Sequence, residues 1–370
     1  MKVFLIALLK LGLKIIYAPL KLLKTKNRIV YLSRQSNEKS LDMRLLEAAV
    51  AEELPDTEQV FRLRMIDEGL KAKLQYCLTV IGDMYYLATA KVAIVDTYSI
   101  TVSCLHHKKD LRVIQMWHAL GAIKKFGLQS VGTKEGRDEK ISRAMCMHKN
   151  YDYVLAPSSE TAKIYMEAFG VEGSKIKLCP LPRVDFITDG ETRTSEFYYS
   201  NPAVGQKKMV LYLPTFRERD VYISEMLKTE FEDKEEYQLI ISPHPLSKIK
   251  DDERFMPHGD FTAQDLIKLA DAVITDYSAC AFEAALLMKP LYFFTPDYTE
   301  YMSDRGINID LKAEFPSAVF EDAGALVNAL DSGEYDMDSL FHFKEKYIDN
   351  SKNNTQTLAK FVAMLVNDKQ

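Results

Sequence analysis

Short runs of apolar, often β-branched residues alternate with longer helical segments along this 370-residue chain, and this alternation restricts the fold more than any other feature. Strands this apolar are typical of parallel sheets that are covered on both faces. We predict two series of strands, each long enough for one doubly wound domain. The first series is Arg28–Leu32, Gln59–Leu63, Val92–Val95, Val113–Met116, Tyr153–Ala156 and Ile176–Leu178, and the second is Met209–Leu213, Leu239–Ile241, Ala272–Thr275 and Leu291–Phe294.

The two series predict an α/β protein with two Rossmann-like domains that face each other across a cleft. The segment 188–206 is polar and poor in periodic apolar residues, so we place the linker there. The predicted domains are 28–190 and 205–370, and the second ends in a closing carboxyl-terminal helix. Ligands of open α/β sheets bind beyond the carboxyl ends of the strands, so the residues that follow strands are the functional candidates.

Residues 1–27 form an apolar segment whose lysines share one side. On a helical wheel Lys10, Lys14, Lys21 and Lys24 fall within one narrow sector. A membrane-spanning helix needs roughly 20 apolar residues, whereas charges interrupt this segment early. The pattern favours an amphipathic helix lying on an anionic membrane surface, which makes the protein peripheral. The alternative is a first core helix whose lysines face water.

Composition excludes several classes of function. The formal net charge of -5 argues against general nucleic-acid binding. The five cysteines form neither a C-x-x-C pair nor a Cys/His cluster, so we expect free thiols and no metal site. The sequence lacks the P-loop, the G-x-G-x-x-G fingerprint after a strand and the G-x-S-x-G elbow, which disfavours NTPase, dinucleotide and hydrolase chemistry.

Polar side chains suited to phosphate chemistry follow several predicted strands. A histidine accepts a proton from an attacking hydroxyl, an arginine neutralises a phosphate, and a helix amino terminus such as that predicted at Ser278 binds one. Each feature also has a structural explanation: a buried histidine, an arginine ion pair, a helix cap or a solvated lysine. The residues concerned are His118, Gly121, Lys124, Arg183, Thr215, Arg217, His244, Thr275, Asp276 and Ser278.

The motifs around these residues resemble the CDP-glycerol glycerophosphotransferase family, which builds teichoic acids and related polyol-phosphate polymers on bacterial membranes. The resemblance covers residues 110–310, with the last block the most specific. The matching motifs are Gln115-Met-Trp117-His118, Gly121-Ala-Ile-Lys124-Lys125-Phe-Gly127, Pro182-Arg183-Val-Asp185, Pro214-Thr215-Phe-Arg217, His244-Pro245 and Ala270-Asp271-Ala-Val-Ile-Thr275-Asp276-Tyr277-Ser278.

The resemblance implies a glycosyltransferase-B-like fold whose second domain binds the nucleotide donor, CDP-glycerol or CDP-ribitol. It implies His118 as general base for the acceptor hydroxyl and His244 as a group that stabilises the departing CMP. The residues of the predicted cleft include no obvious carboxylate pair for Mg²⁺, so we expect no metal ion or other cofactor to be required. The implied donor-binding residues are Thr215, Arg217, Thr275, Asp276, Ser278 and Glu283, and those for acceptor or phosphate are Gly121, Lys124 and Arg183.

The sequence therefore predicts an enzyme that transfers glycerol phosphate, or a related polyol phosphate, to a lipid-linked saccharide or a growing polymer. CMP is released, the acceptor is undecaprenyl-linked, and the enzyme works at the cytoplasmic face of the membrane in teichoic acid or capsule synthesis. Two alternatives stay open: a nucleotide-sugar-dependent glycosyltransferase of the same fold, and a catalytically silent membrane partner in polymer assembly.

Overall fold

The computed structural model of the chain describes residues 2–65, 70–216, 220–244, 247, 249, 252, 254–348 and 352–368. The predicted donor-binding residue Arg217 lies outside them. The chain divides into two compact units. The first unit comprises Met1–Ala119, Phe126–Asp185 and Ser351–Gln370, and the second comprises Leu120–Lys125 and Phe186–Asn350.

A parallel sheet of six strands lies at the centre of the first unit, in the order β2-β1-β3-β4-β5-β6. The strands are β1 (Arg28–Ser33), β2 (Glu58–Leu63), β3 (Val92–Val95), β4 (Arg112–Gln115), β5 (Tyr153–Ala156) and β6 (Ile176–Leu178). The chain moves outward from β1 to β2 and then returns to pair β3 on the other side of β1. The crevice at the carboxyl ends of β1 and β3 is therefore the topological switch point of the sheet.

Helices connect these strands and complete the first unit. Ser40 and Ser158 cap the amino termini of two of them, where their side chains accept from Met43 N and Thr161 N. The helices are α1 (Lys2–Leu20), α2 (Leu41–Glu53), α3 (Leu70–Thr89), α4 (Ile100–Cys104), α5 (Glu139–Ala144), α6 (Ser159–Phe169) and α7 (Arg183–Asp189), which runs into the second unit.

The second unit contains a parallel sheet of five strands in the order β11-β10-β9-β7-β8. Its switch point lies between β7 and β9. The elements are α8 (Thr194–Ser200), β7 (Lys208–Leu213), α9 (Asp220–Phe231), β8 (Tyr237–Ile241), α10 (Ala263–Leu269), β9 (Ala272–Thr275), α11 (Cys280–Leu286), β10 (Leu291–Phe294), α12 (Tyr298–Asp304), α13 (Leu311–Glu314), β11 (Val319–Phe320), α14 (Ala323–Ser332) and α15 (Met337–Tyr347).

The predicted α/β class and the two parallel sheets are confirmed. Each of the ten predicted strands is present, with ends that differ by at most two residues, and the short strand β11 was not predicted. The unit boundary lies at residue 185, just before the predicted linker, and that linker contains α8.

The last helix, α16 (Asn354–Asn367), belongs to the first unit, which corrects its predicted place as the closing helix of the second domain. It packs on α2. The Asp185 carboxylate accepts from Asn354 N at 3.0 Å and from Thr355 N at 2.8 Å, so a side chain of the first unit satisfies the first backbone donors of the helix.

Helix α1 packs on α3 and α5 through one side, where Leu13 and Tyr17 are buried. Lys10 lies on that side: its Nζ donates to Ala144 O at 2.8 Å and to Cys146 Sγ at 3.0 Å. The helical wheel predicted that Lys10 lies on a polar face directed away from the protein, and this was wrong. The ammonium group of Lys10 faces the protein because a backbone carbonyl and a thiol accept its hydrogen bonds there. The opposite, apolar side is exposed, with Phe4 at 66% and Ile15 at 64%.

Candidate active site

His118 lies at the switch point of the first sheet, three residues after the end of the neighbouring strand β4. Its Nδ1 is 2.8 Å from the backbone oxygen of Asp96, which follows β3. A carbonyl only accepts hydrogen bonds, so Nδ1 carries the proton and Nε2 of the neutral ring carries the lone pair. This is the tautomer that a general base acting through Nε2 requires.

Two neighbours hold the imidazole in this orientation. Gln35 Nε2 lies 3.2 Å from each ring nitrogen, and these equal distances place the amide over the ring rather than in line with either lone pair. The Trp117 ring centroid lies 3.9 Å from that of His118. Trp117 has a φ of 64°, a strained value for a large residue, and its N–H donates to Gln115 Oε1 at 2.9 Å. The turn after β4 is therefore fixed before any substrate binds.

Asp96 is a buried carboxylate beside this histidine. Its Oδ2 accepts from Ser33 Oγ at 2.8 Å, whereas its Oδ1 has no hydrogen-bond partner among the described residues. Burial raises the pKa of Asp96 to about 7, and the Ser33 hydrogen bond only partly opposes this effect. The carboxyl group thus changes charge near neutral pH, while its backbone oxygen orients His118.

A pocket of about 270 Å³ opens at this switch point. Its walls come from the residues after β1, β3 and β4 and from the segment 127–148. They include His118, Gln35, Tyr98 and two arginines, Arg34 and Arg137. Neither arginine was predicted from the sequence, although Arg34 directly follows β1 and its position after a strand indicated it.

At the switch point of the second sheet, a buried carboxylate joins the two strand ends. Asp276, directly after β9, accepts from Thr215 N through both oxygens at 3.0 Å and from Tyr277 N at 2.6 Å. Thr275 Oγ1 donates to Leu213 O at 2.7 Å. Thr275 and Asp276 thus hold the loop after β7, whereas Thr215 Oγ1 is buried without a hydrogen-bond partner among the described residues.

His244 follows β8 in the same unit and is accessible to solvent. Partial desolvation and the positive charge of Lys124 lower the pKa of His244, and the Asp220 carboxylate opposes them. The Phe216 ring lies against the imidazole, with centroids 5.8 Å apart. At neutral pH the lowered pKa favours the neutral imidazole.

Ser278 and Glu283 lie at the start of α11 and within it. Ser278 Oγ accepts from Cys280 N at 3.3 Å, which is a local contact in the turn before the helix. Glu283 is buried, and its Oε2 accepts from Gln264 Nε2 at 2.8 Å. Both roles in donor binding remain predictions.

The segment 120–125 belongs to the second unit, although it directly follows the His118 turn in sequence. Asn308 donates from its side chain to Lys124 O at 3.0 Å and from its backbone to Ile123 O at 2.7 Å. A Cβ at Gly121 would lie 2.4 Å from the Phe282 ring, so only glycine fits there. This gives Gly121 a packing role and places Lys124 near His244.

Arg183 is held by a carboxylate of the first unit. Its Nε and Nη2 donate to Asp42 Oδ2 at 2.8 and 2.5 Å, and its backbone N–H donates to Asp42 Oδ1 at 2.8 Å. Asp42 is 1% exposed and Arg183 14%. Arg183 therefore forms a structural ion pair, which is the alternative to a phosphate-binding role given in the sequence analysis. Together with Asp185 at the start of α16, it makes the Pro182–Asp185 motif a clasp within the first unit.

No group of three or more histidine, cysteine, aspartate or glutamate side chains suited to a metal ion occurs within the described part of the chain. The free cysteines Cys77, Cys104, Cys146, Cys179 and Cys280 form no disulfide. Metal-independent chemistry stays a prediction.

Comparison with known proteins identifies first the fold and then the family. The wall teichoic acid polymerase TagF has the same fold, with a TM-score of 0.70 at 18% identity over 99% of this chain and 97% of that one. The teichoic acid ribitol-phosphate primase of Bacillus spizizenii is 30% identical over 80% of each chain. The teichoic acid glycerol-phosphate primase of Bacillus subtilis is 30% identical over 76% of each.

The profile of the family described as CDP-Glycerol:Poly(glycerophosphate) glycerophosphotransferase matches residues 16–363. The chain belongs to this family. This confirms the predicted family, the class of enzyme, a polyol-phosphate transferase, and its place in teichoic acid biosynthesis.

Proposed function

We propose that the chain transfers a polyol phosphate from its CDP derivative to a hydroxyl group of an undecaprenyl-linked saccharide, with His118 as general base. The observation that carries the proposal is the 2.8 Å hydrogen bond from His118 Nδ1 to Asp96 O, because it leaves the lone pair on Nε2 at a sheet switch point. The acceptor binds at the end of the first sheet and the donor at the end of the second, across the predicted cleft.

In the proposed reaction the acceptor oxygen attacks the β-phosphorus of CDP-glycerol in line. A new P–O bond forms, the bridging P–O bond breaks, and its electron pair leaves with CMP. His118 Nε2 takes the hydroxyl proton. On the donor side His244 and the Thr215 and Ser278 turns contact the diphosphate, and Glu283 contacts the ribose; His244 stabilises the charge on CMP.

The polyol is the first point to test, since the two primases share 30% identity with the chain and differ in the polyol that they are named for. The purified protein is incubated with a lipid-linked disaccharide and, in turn, CDP-glycerol, CDP-ribitol and a panel of nucleotide sugars. We expect CMP release and an acceptor heavier by one or more polyol phosphates. A glycosylated product would instead establish a sugar transferase, and donor binding without turnover would establish a silent partner.

We also propose that α1 lies on the cytoplasmic leaflet of the membrane. By length and composition, α1 is the one helix of the described residues that is able to cross a membrane. Leu13 and Tyr17 hold one side against protein, and this favours a surface position over a span surrounded by lipid. The exposed apolar side then enters the interface, while Lys14 on the edge meets anionic headgroups.

Sedimentation with anionic vesicles tests the membrane contact. Replacing exposed Leu8 and Ile15 with glutamate should release the protein from vesicles without unfolding it, because neither side chain is buried. Leu178→Glu, at an equally exposed leucine on β6, serves as the matched control. Equal sedimentation of all three proteins would contradict the proposal.

A further inference from the structure

The pocket beside His118 carries two arginines on one aromatic ring. Arg34 Cζ lies 5.5 Å and Arg137 Cζ 5.6 Å from the centroid of the Tyr98 ring. Arg34 comes from the end of β1 and Arg137 from the loop before α5, so two separate parts of the chain bring their charges together. Both guanidinium groups are within cation–π range of the same ring, so two positive charges face one wall of the pocket.

Within the described residues neither guanidinium group forms an ion pair, and Arg34 Nε is buried without a hydrogen-bond partner. Arg183, in the same unit, shows the opposite arrangement, since Asp42 neutralises it fully. Glu135 also lines the pocket, so two arginines and one glutamate contribute to its wall. A buried donor and an uncompensated charge are what a site for an anionic ligand requires.

The two arginine charges also affect the pKa of a neighbouring histidine, His148. Burial, followed by the positive charges of Arg137 and Arg34, lowers the pKa of His148, which lines the same pocket, to about 4. The pocket therefore stays positive without help from His148 at neutral pH.

A second, more apolar pocket of about 500 Å³ adjoins the first, and the two share Met147. Leu128 and Val131 line it, and so does Cys146, whose thiol accepts from Lys10 of α1; the charged residues Glu139, Arg143 and Lys149 also line it. This second pocket thus extends from the arginine pocket towards the packed side of α1. A ligand with an anionic group and a hydrocarbon chain fits a pocket with two arginines that adjoins a more apolar pocket.

We propose that Arg34 and Arg137 bind the diphosphate of a polyisoprenoid-linked acceptor, with the first isoprene units in the apolar pocket and the saccharide hydroxyl directed to His118. The proposal rests on the proposed function and names the part of the substrate that this pocket recognises. Guanidinium groups suit a diphosphate because each donates two parallel hydrogen bonds to phosphate oxygens.

Trp117 provides a direct assay, because it is the only tryptophan in the chain and it lines the arginine pocket. Farnesyl diphosphate is titrated against the full-length protein without any donor, and Trp117 fluorescence is recorded. We expect saturable binding, and a rise in Kd of at least about tenfold in Arg34→Ala and in Arg137→Ala, as expected for the loss of charge-assisted hydrogen bonds. Arg34→Lys keeps the positive charge but loses the planar guanidinium group that donates two parallel hydrogen bonds, so it should give an intermediate Kd.

Three comparisons separate the sources of the anion. Inorganic diphosphate tests the charge alone and farnesol the chain alone; both should bind more weakly than farnesyl diphosphate. CDP-glycerol tests the donor, and its Kd should not depend on Arg34. Arg254→Ala, an exposed arginine that loses two ion pairs in the second unit, is the matched control and should leave every Kd unchanged.

Farnesyl diphosphate binding that is unchanged in both alanine variants would overturn the proposal, as would CDP-glycerol binding that requires Arg34. These binding measurements involve no turnover, so they succeed or fail independently of the transfer reaction. A chain that binds farnesyl diphosphate through both arginines but transfers no polyol phosphate would refute the proposed function alone.

Discussion

Each sheet has an aspartate at its switch point, and the two aspartates differ in the hydrogen bonds that their carboxylates form. At each switch point an aspartate follows the inner strand and accepts a hydrogen bond from the end of the first strand: Asp96 from Ser33, and Asp276 from Thr215. In the second unit both oxygens of Asp276 accept from backbone N–H groups. In the first unit Asp96 Oδ1 has no such partner among the described residues.

This difference separates a carboxylate whose oxygens both hold backbone groups from one that lies beside the predicted general base His118. Asp276 holds two loops of the second unit together. Asp96 leaves its switch point open, and the space is lined by His118, Arg34 and Arg137. A similar aspartate thus lies at a loop junction in the second unit and beside a charged pocket in the first, and five variants test this distinction.

Removal of the imidazole at the first switch point should have the largest effect. His118→Ala should lower kcat by about 10²–10⁴-fold, the usual contribution of general base catalysis, with the circular dichroism spectrum unchanged. CMP release from the CDP-polyol and a lipid-linked acceptor measures the rate. His342→Ala, at an exposed histidine on α15, is the matched control, and turnover near the native rate in His118→Ala would refute the assignment.

The paired and unpaired arginines of the first unit should separate stability from binding. Arg183→Ala leaves Asp42 buried and unpaired, so it should lower the free energy of unfolding by about 3–5 kcal/mol. Arg34→Ala removes only a contact with Tyr98 and should cost less than about 1 kcal/mol. Urea denaturation followed by Trp117 fluorescence measures both variants in the same unit.

Arg143→Ala controls for the loss of an exposed ion pair, here with Glu139, and should cost no more than about 0.5 kcal/mol. A small loss of stability in Arg183→Ala would show that Asp42 is easily rehydrated and that the clasp is not a structural requirement.

The open switch point should also make stability depend on pH. The pKa of Asp96 is about 7 in the folded chain and near 3.9 when unfolded, so the folded state favours the protonated form. Its stabilising contribution is complete below pH 3.9 and is lost as the pH rises through 7. Asp96→Asn should therefore gain stability relative to the native chain, by about 2–3 kcal/mol between pH 5 and pH 8.

Urea denaturation at the two pH values measures this gain, and Asp110→Asn, at an exposed carboxylate, controls for the change in net charge. A stability difference between Asp96→Asn and the native chain that is constant from pH 5 to pH 8 would show that Asp96 ionises as readily as a solvated carboxylate.

The contrast between the switch points was only partly predictable from the sequence. Apolar runs such as Val92–Val95 and Ala272–Thr275 identify the strands, because burial on both faces leaves a clear pattern. His118 and Asp276 were selected because they follow strands. Asp96 was overlooked, although the sequence Val95-Asp96-Thr97-Tyr98-Ser99 is similar to Thr275-Asp276-Tyr277-Ser278, and this similarity was an available signal.

Partners that are distant in the chain account for most of what the sequence did not predict. The Asp42 carboxylate that neutralises Arg183 is 141 residues away in the chain, and no local sequence pattern predicts this pairing. Helix periodicity predicts α16 but contains no information about which sheet it covers. The direction of Lys10 was mispredicted for the same reason, because its acceptors in the 144–146 turn lie far along the chain.

The smallest expected effect lies in the second unit, in the electrostatic interaction between Lys124 and His244. Desolvation and the Lys124 ammonium lower the pKa of His244, so Lys124→Gln should raise it by removing the second cause while leaving the first. A pH titration of the His244 ring protons by NMR measures the change. Lys312→Gln, at an exposed lysine that pairs with Glu321, removes the same charge elsewhere in the second unit and should leave the His244 titration unchanged.

The direction of this shift decides how the second histidine works. A raised pKa in Lys124→Gln means that more of His244 is protonated at neutral pH, and a protonated imidazole stabilises the charge on departing CMP better than a neutral one. The loss of Lys124 would then be offset in part by the gain at His244, so the rate at neutral pH should change little while its alkaline limb moves to higher pH. An unchanged or lowered His244 pKa would show that Lys124 does not act on the ring, and that desolvation alone sets its protonation.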